Sequence, residues 1–333
     1  MASRREALAI LAAAGLLAPR VVAGELRFFR IATGSTGGTY YPVGALIAEA
    51  ISTPPGARPC AQGGPCGVPG LIASALATAG SVANIGLIHA GTVESGFVQG
   101  DIAATAYLGQ GGWTGQPASD LRAIANLYPE TLHLIARRAA GITRLGDLIG
   151  KRVSLDEQGS GTLADANLIL ASVDITPDMM ETVNLPLGQS VRAMLSEQLD
   201  AFFFVGGHPA ESISELASQL PIEILPIDGT VAARIMAEHS FLSATVLPAG
   251  TYPSQTAPVP TLSVGAQWLT SARQPAALIR DITAALWAPA TAKLLRNGPR
   301  RGRSIARATA LDGISVPLHP GAAAYYKEIN ILK

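Results

Sequence analysis

The chain has 333 residues, 48% of them hydrophobic and 14% charged, so it can bury the core of two ordinary domains and is not a disordered polyelectrolyte. Its 24 basic and 24 acidic side chains cancel, and no run of Lys or Arg forms a groove for nucleic acid, which excludes a polyanion partner. Five histidines are scattered along it, and the two cysteines share a single short stretch.

Residues 1–24 follow a logic of their own. Arg4 and Arg5 precede an apolar run from Ala7 to Leu17, too short to span a bilayer, and small residues follow at Val21 to Gly24. This is the pattern of an export signal of the Sec or twin-arginine type, and it predicts a periplasmic protein. The first strand is expected at Phe28–Thr33, followed by the loop "GSTGGTYYPVG" and a helix with Val43, Leu46, Ile47, Ala50 and Ile51 on one face. Pro42 belongs in the first helical turn, which makes Tyr41 the expected N-cap.

Next comes "CAQGGPC", where a disulfide between Cys60 and Cys66 is the simplest reading in an oxidising compartment and two free thiols are the alternative. Pro69 is read as opening a helix through Leu71, Ile72, Ala75 and Leu76, which would bring Gly67 and Val68 to a binding loop; "VANIGLIHA" is read as a buried strand. Further on, "RVSL" predicts a strand, "DEQGSG" a loop, and Leu163, Ala166, Leu170 and Val173 a helix, with Thr162 and Asp165 resembling a capping box. A fourth unit has strand "AFFFV", then Gly206, Gly207 and His208, then a helix opened by Pro209.

Four strand–loop–helix units imply an α/β fold with a mainly parallel sheet and helices on both faces, with loops at the carboxyl ends of the strands. The segment 121–138 would cross to a second lobe and 260–271 would return. The expected division is lobe I at 25–128 with 262–333 and lobe II at 129–261, the amphipathic helix bearing Leu278, Ile279, Ile282 and Leu286 packing on lobe I.

The loops fit few chemistries. There is no G-x-G-x-x-G, no G-K-[ST], no G-x-S-x-G and no paired histidines with glutamate, so nucleotide, nucleophilic and metal chemistry lack their motifs, and no cofactor is expected. Helix N-termini present unpaired N–H groups, and several aimed at one cleft can hold an anion. The hydroxyls of Ser35, Thr36, Thr39, Ser160 and Thr162 would add donors, and Tyr40 or Tyr41 would cover an apolar part of the solute. Gln189, Ser190 and Arg192 are placed near a strand's carboxyl end. Glu130 fits two roles, pairing with a solute ammonium or locking the hinge.

Together, "IATGSTGGTYYPVGALIAEAI", "DLRAIANLYPETLHLIARR", "DLIGKRVSLDEQGSGTLADA", "LDAFFFVGGHPAESI" and "PLHPGAAAYYKE" resemble the TAXI family of solute receptors of tripartite ATP-independent periplasmic (TRAP) transporters. The resemblance implies a type II periplasmic-binding-protein fold that closes on a small carboxylate, glutamate-like or a 2-oxo dicarboxylate, and delivers it to a permease driven by an ion gradient. Carried onto this chain, the binding residues would be Gly34, Ser35, Thr36, Gly37, Thr39 and Tyr40, with Ser160, Gly161 and Thr162 facing them and Gly206, Gly207 and His208 alongside; Gln158 and Gln189 complete the expected set. The family's hydroxyl-rich run before its second helix is replaced here by "GGPCGVPG". A sensor for a membrane histidine kinase, or an enzyme using His208 on the bound acid, are the competing readings.

Overall fold

The computed structural model describes residues 26–332, so the expected export signal lies outside the described residues. Ten strands form one continuous sheet. In chain order they are β1 (Arg27–Ala32), β2 (Leu71–Leu76), β3 (Ser95–Gln99), β4 (Leu121–Arg137), β5 (Arg152–Ser154), β6 (Glu181–Val183), β7 (Ala201–Gly206), β8 (Ile222–Leu225), β9 (Ser243–Leu247) and β10 (Val259–Ser271). The order across the sheet is β2-β1-β3-β10-β4-β7-β5-β6, with β8 paired to β4 and β9 to β10.

Two short parallel sheets are joined by two long strands. In the first half β1 lies between β2 and β3, and in the second half β5 lies between β6 and β7, all parallel. Every antiparallel pairing in the large sheet involves β4 or β10. Those two strands, 17 and 13 residues long, pass from one half into the other and pair with each other along the way.

Parallel neighbours need crossovers, and helices supply them. The helices near the cleft are α1 (Tyr40–Ile51), α2 (Ser81–His89), α3 (Gly100–Leu108), α4 (Gly161–Ala171), α5 (Leu187–Leu195) and α6 (Glu211–Gln219). Then α7 (Gly229–Glu238) covers the second half, while α8 (Ala276–Leu286), α9 (Pro289–Asn297) and α10 (Pro320–Glu328) follow the return strand.

Alternation along β1 and β7 explains the layers. Phe29 and Ile31 pack with Val43, Ile47, Trp268, Ile279 and Ile282, whereas Ala32 joins Ile85, Ile88, Val98 and Ile102 on the other face. In the second half Phe203 packs with Val153, Ile169 and Leu170, and Phe202 and Phe204 with Met194, Ile213 and Leu216. Helix α8, with Leu278, Ile279, Ile282 and Leu286 buried, thus lies against the first half as its spacing requires.

The second unit is the reverse of its sequence reading. "LIASAL", 71–76, is a strand pairing in register with β1, and "SVANIGLIH", 81–89, is a helix. The first is an edge strand of small residues with no clean alternation, and the second buries the polar Ser81 and Asn84 while leaving Val82 and Leu87 half-buried, so its apolar positions mark no single face; short apolar runs of this kind do not declare their period.

Three caps also differ from expectation. Thr39, not Tyr41, is the N-cap of α1, and Pro42 sits within the first turn, where its missing N–H breaks no helical bond. Ser160, not Thr162, caps α4, its hydroxyl accepting from the Leu163 N–H at 3.0 Å. Pro209 follows a cis peptide bond at His208 and precedes α6 rather than opening it. Cys60 and Cys66 are joined by a disulfide, with their Cα atoms 4.9 Å apart.

Candidate functional site

Where the carboxyl ends of the parallel strands of the two halves face each other, the loops enclose a cavity of about 50 Å3, room for a few waters. From the first half come Gly34, Ser35, Gly38, Thr39 and Tyr40 after β1, Ala79, Gly80 and Ser81 after β2, and Gln99 at the end of β3. The second half contributes Asp156 and Glu157 after β5, Ser160, Gly161 and Thr162 at the start of α4, Leu187 at the start of α5, and Phe204 and Val205 on β7. Glu130, on the long strand β4, forms the base.

The facing loops touch. The Ala83 N–H donates to the Gly159 carbonyl at 3.0 Å, the Gly207 N–H to the Thr39 hydroxyl at 3.2 Å, and the Ser212 hydroxyl to the Gly37 carbonyl at 3.1 Å. Deeper in, the Gln99 amide donates to Asp165 of α4 at 2.5 Å. This is a closed arrangement of the two halves.

Four helices, α1, α2, α4 and α5, begin at the cavity wall, so their unpaired N–H groups and positive dipole ends converge there. Hydroxyls add to them, several already engaged. Ser160 caps α4, Thr162 accepts from the Val205 N–H at 3.0 Å, and Ser81 donates to the Gln99 side-chain oxygen at 3.1 Å. Gly80 turns the chain into α2 at φ +119°, a conformation open to glycine and not to other residues.

Set against these donors are three carboxyl groups, and among the described residues no Lys or Arg lines the cavity. Glu130 is buried and accepts from the Tyr40 hydroxyl at 2.6 Å; burial pushes its pKa up to about 8, a rise that the Tyr40 hydrogen bond only partly offsets. Burial likewise pushes Asp156 up to about 7 and raises Glu157. Asp156 also holds a left-handed backbone, φ +75°, its carbonyl accepting from the Asn184 amide at 2.8 Å.

Of the residues expected from sequence, Gly34, Ser35, Thr39, Tyr40, Ser160, Gly161 and Thr162 line this cavity. Thr36 and Gly37 lie on the far side of the same loop and line a second cavity. Gly206, Gly207 and His208 flank the first without lining it; His208 hydrogen-bonds the Thr131 hydroxyl at 2.8 Å, and burial, reinforced by nearby Arg301, brings its pKa down to about 4. Gln158 and Gln189 are exposed, Gln158 donating to Asn184 at 3.2 Å.

Gly67 and Val68 are corrected outright. Val68 pairs with Ser52, and a Cβ on Gly67 would lie 2.3 Å from the Ile51 carbonyl, at the opposite end of α1 from the cleft. Once Leu71–Leu76 is a strand, the loop at its carboxyl end is "TAGS", 78–81, and it carries the hydroxyls that seemed missing from "GGPCGVPG". Asp156 and Glu157 stood beside Gln158 in the sequence, but only the folded loop shows which of the three turn inward. Gln99 carried no sequence signal.

Parallel sheets in two halves, joined by two through-going strands around a cleft ringed by helix N-termini, make up the two-lobe periplasmic-binding-protein fold. The family model described as NMT1-like matches residues 31–329, and the chain belongs to that family. MatC from Rhodopseudomonas palustris, solved with bound malate, shares the fold at a TM-score of 0.51, with 13% identity over 91% of this chain and 97% of MatC. The alkanesulfonate-binding protein SsuA from Xanthomonas axonopodis pv. citri, bound to MOPS, matches at 0.46 with 14% identity over 93% of this chain and 96% of SsuA. A substrate-binding protein of an ABC uptake transporter from Streptococcus pneumoniae, with bound histidine, matches at 0.47 with 10% identity over 84% of this chain and 94% of that one. Among the described residues no helix is long and apolar enough to cross a membrane.

Proposed function

We propose that the chain is a periplasmic solute receptor of the TAXI type, which closes its two lobes, 25–128 with 262–333 and 129–261, on a small carboxylate and hands it to a TRAP permease. Its solute, on this reading, also carries an ammonium group, which favours the glutamate-like acid over the 2-oxo dicarboxylate. The observation that carries it is the lining: helix N-termini and hydroxyls to receive a carboxylate, three carboxyls to receive a cation, and no basic side chain. A solute with two negative charges and no positive one would face those carboxyls unaided, whereas an ammonium reaching Asp156 or Glu130 would favour their ionised forms. Malate in MatC supports a carboxylate solute for a receptor of this fold.

Binding rather than turnover fits the hydroxyls, since Ser160 and Thr162 are engaged in structural hydrogen bonds and His208 is bonded to Thr131.

The test compares glutamate with 2-oxoglutarate by calorimetry. Asp156 and Glu130 have raised pKa values, so they are ionised only as pH rises through about 7 and about 8. The ammonium gains partners over that window, and the ratio of glutamate to 2-oxoglutarate affinity should climb between those values; protons taken up on closure cancel in the ratio. Asp156→Asn should lower glutamate affinity by about tenfold or more, the worth of a charged hydrogen bond, and leave 2-oxoglutarate unharmed. A ratio that is flat or falls with pH counts against the ammonium.

A further inference from the structure

Behind the loop that carries Thr39 lies a larger cavity of about 660 Å3, walled by both halves of the molecule. Thr36–Thr39 and the start of α1 form one side, Pro209, Glu211 and Ser212 at the start of α6 another, and Pro299, Arg300 and Arg301 a third. Nothing in the reading of the solute cleft uses it.

Arg301 is its unusual element. The side chain is half-buried and, among the described residues, makes no hydrogen bond and no ion pair. The fold commits to placing it there. A Cβ on Gly207 would lie 2.4 Å from the Arg301 Cγ and Cδ, so the aliphatic stem rests on bare backbone of the opposite half. A Cβ on Gly302 would lie 2.5 Å from the Leu295 carbonyl, so the residue after Arg301 is pinned against α9.

The groups around the guanidinium leave it unpaired. Its charge is felt by Tyr128, Tyr252, Glu130, His133 and His208. Glu130 is engaged by Tyr40, and Tyr252 accepts from the Ala210 N–H at 3.2 Å. Tyr128 is 1% exposed beneath the loop that carries Thr39, its hydroxyl turned towards Thr39, and it does not line the cavity. Thr39 accepts from Gly207, leaving its own proton to donate. Glu211 and Glu215 lie exposed on the outer wall and make no ion pair with Arg301, so the rim is of mixed charge and the inner end positive.

A half-buried guanidinium without a hydrogen-bonded counter-ion, at the inner end of a cavity, is a donor lacking a ligand. We propose that this cavity is a second binding site, separate from the solute cleft, for a small oxyanion, a carboxylate or phosphate group held by Arg301 with Thr39. Because its walls come from both halves, the anion binds the closed form and stabilises closure by mass action.

The experiment is thermal unfolding and calorimetry of the protein, without amino acid, against inorganic phosphate and against acetate at constant ionic strength. Wild type should be stabilised by one or both; the tighter of the two identifies the group as phosphate or carboxylate. Arg301→Gln should weaken that binding by about tenfold or more, Arg301→Lys by less, and Asp156→Asn should leave it intact. If Arg301→Gln does not fold, Arg301→Lys, which keeps the charge and loses the planar fork, should still weaken it severalfold. Neither anion stabilising wild type overturns the site. So does an Arg301→Gln protein, or in its absence an Arg301→Lys protein, that binds as wild type does. Failure of the glutamate reading leaves these results untouched, because they are measured without it.

Discussion

Gly161 shows how finely the contact between the two halves is set. It is the first residue of α4, and a Cβ there would fall 1.4 Å from the Gln99 side-chain oxygen and 2.9 Å from the Ser81 hydroxyl, both on the other half. Neither neighbour is free to move aside, since Gln99 is bonded to Asp165 and Ser81 to Gln99. Within its own half the position is ordinary helix, so Gly161→Ala should leave the stability of the open protein unchanged or slightly raised. Closure is what it obstructs: solute affinity should fall by about tenfold or more, the cost of a clash that must be relieved on closing. Calorimetry alongside a solute-free melting curve separates the two effects, and an unchanged affinity would show that the closed contact is not used in binding. At this scale the glycines and hydroxyls of the first and third loops were legible in the sequence. Glu130, Asp156 and Gln99 were not legible as a set, because their roles come from burial and from the opposite half rather than from neighbours in the chain.

Elements begin where side chains allow them to. Ser160 gives α4 its first hydrogen bond, and Ser160→Ala should cost about 1 kcal/mol, read as a shift in the urea midpoint with no solute present. Sequence periodicity recovered β1, α1, β5, α4, β7, α6 and the return strand β10, whereas 121–138 reads from sequence only as a crossing between lobes. It exchanged helix and strand in the second unit for a physical reason. Leu71–Leu76 sits at the sheet edge and alternates poorly, and α2 packs polar Ser81 and Asn84 inward beside Ile85 and Ile88, so its buried face carries no apolar period. That exchange moved one candidate binding loop from 78–81, which lines the cavity, to 67–68, which does not.

For the whole molecule, closing brings acidic groups together. Asp101, on α3, and Asp165, on α4, come from opposite halves and are both buried, with Gln99 bonded to Asp165 at 2.5 Å. Burial, and for Asp165 the nearby Asp101, raise both pKa values, so proton uptake at this pair favours the closed form. The sign follows: closure gains from this pair at low pH and loses the gain as pH rises through the raised pKa. Asp101→Asn removes the repulsion and should raise the closed fraction on the alkaline side, seen as a smaller radius of gyration by solution scattering at equal solute. No change in that radius would mean the pair separates without cost.

The two long strands have a mechanical consequence. β4 and β10 are bonded to each other as they cross between the lobes, with register shifts at Ala266/Gln267 and Trp268/Leu269. A ribbon held by its own ladder resists sliding and stretching but bends and twists where the ladder is irregular. If the lobes open, this ribbon confines them to one soft coordinate, like two plates on a leaf spring. Any partner that senses the gap between them at one edge learns the state of the entire molecule.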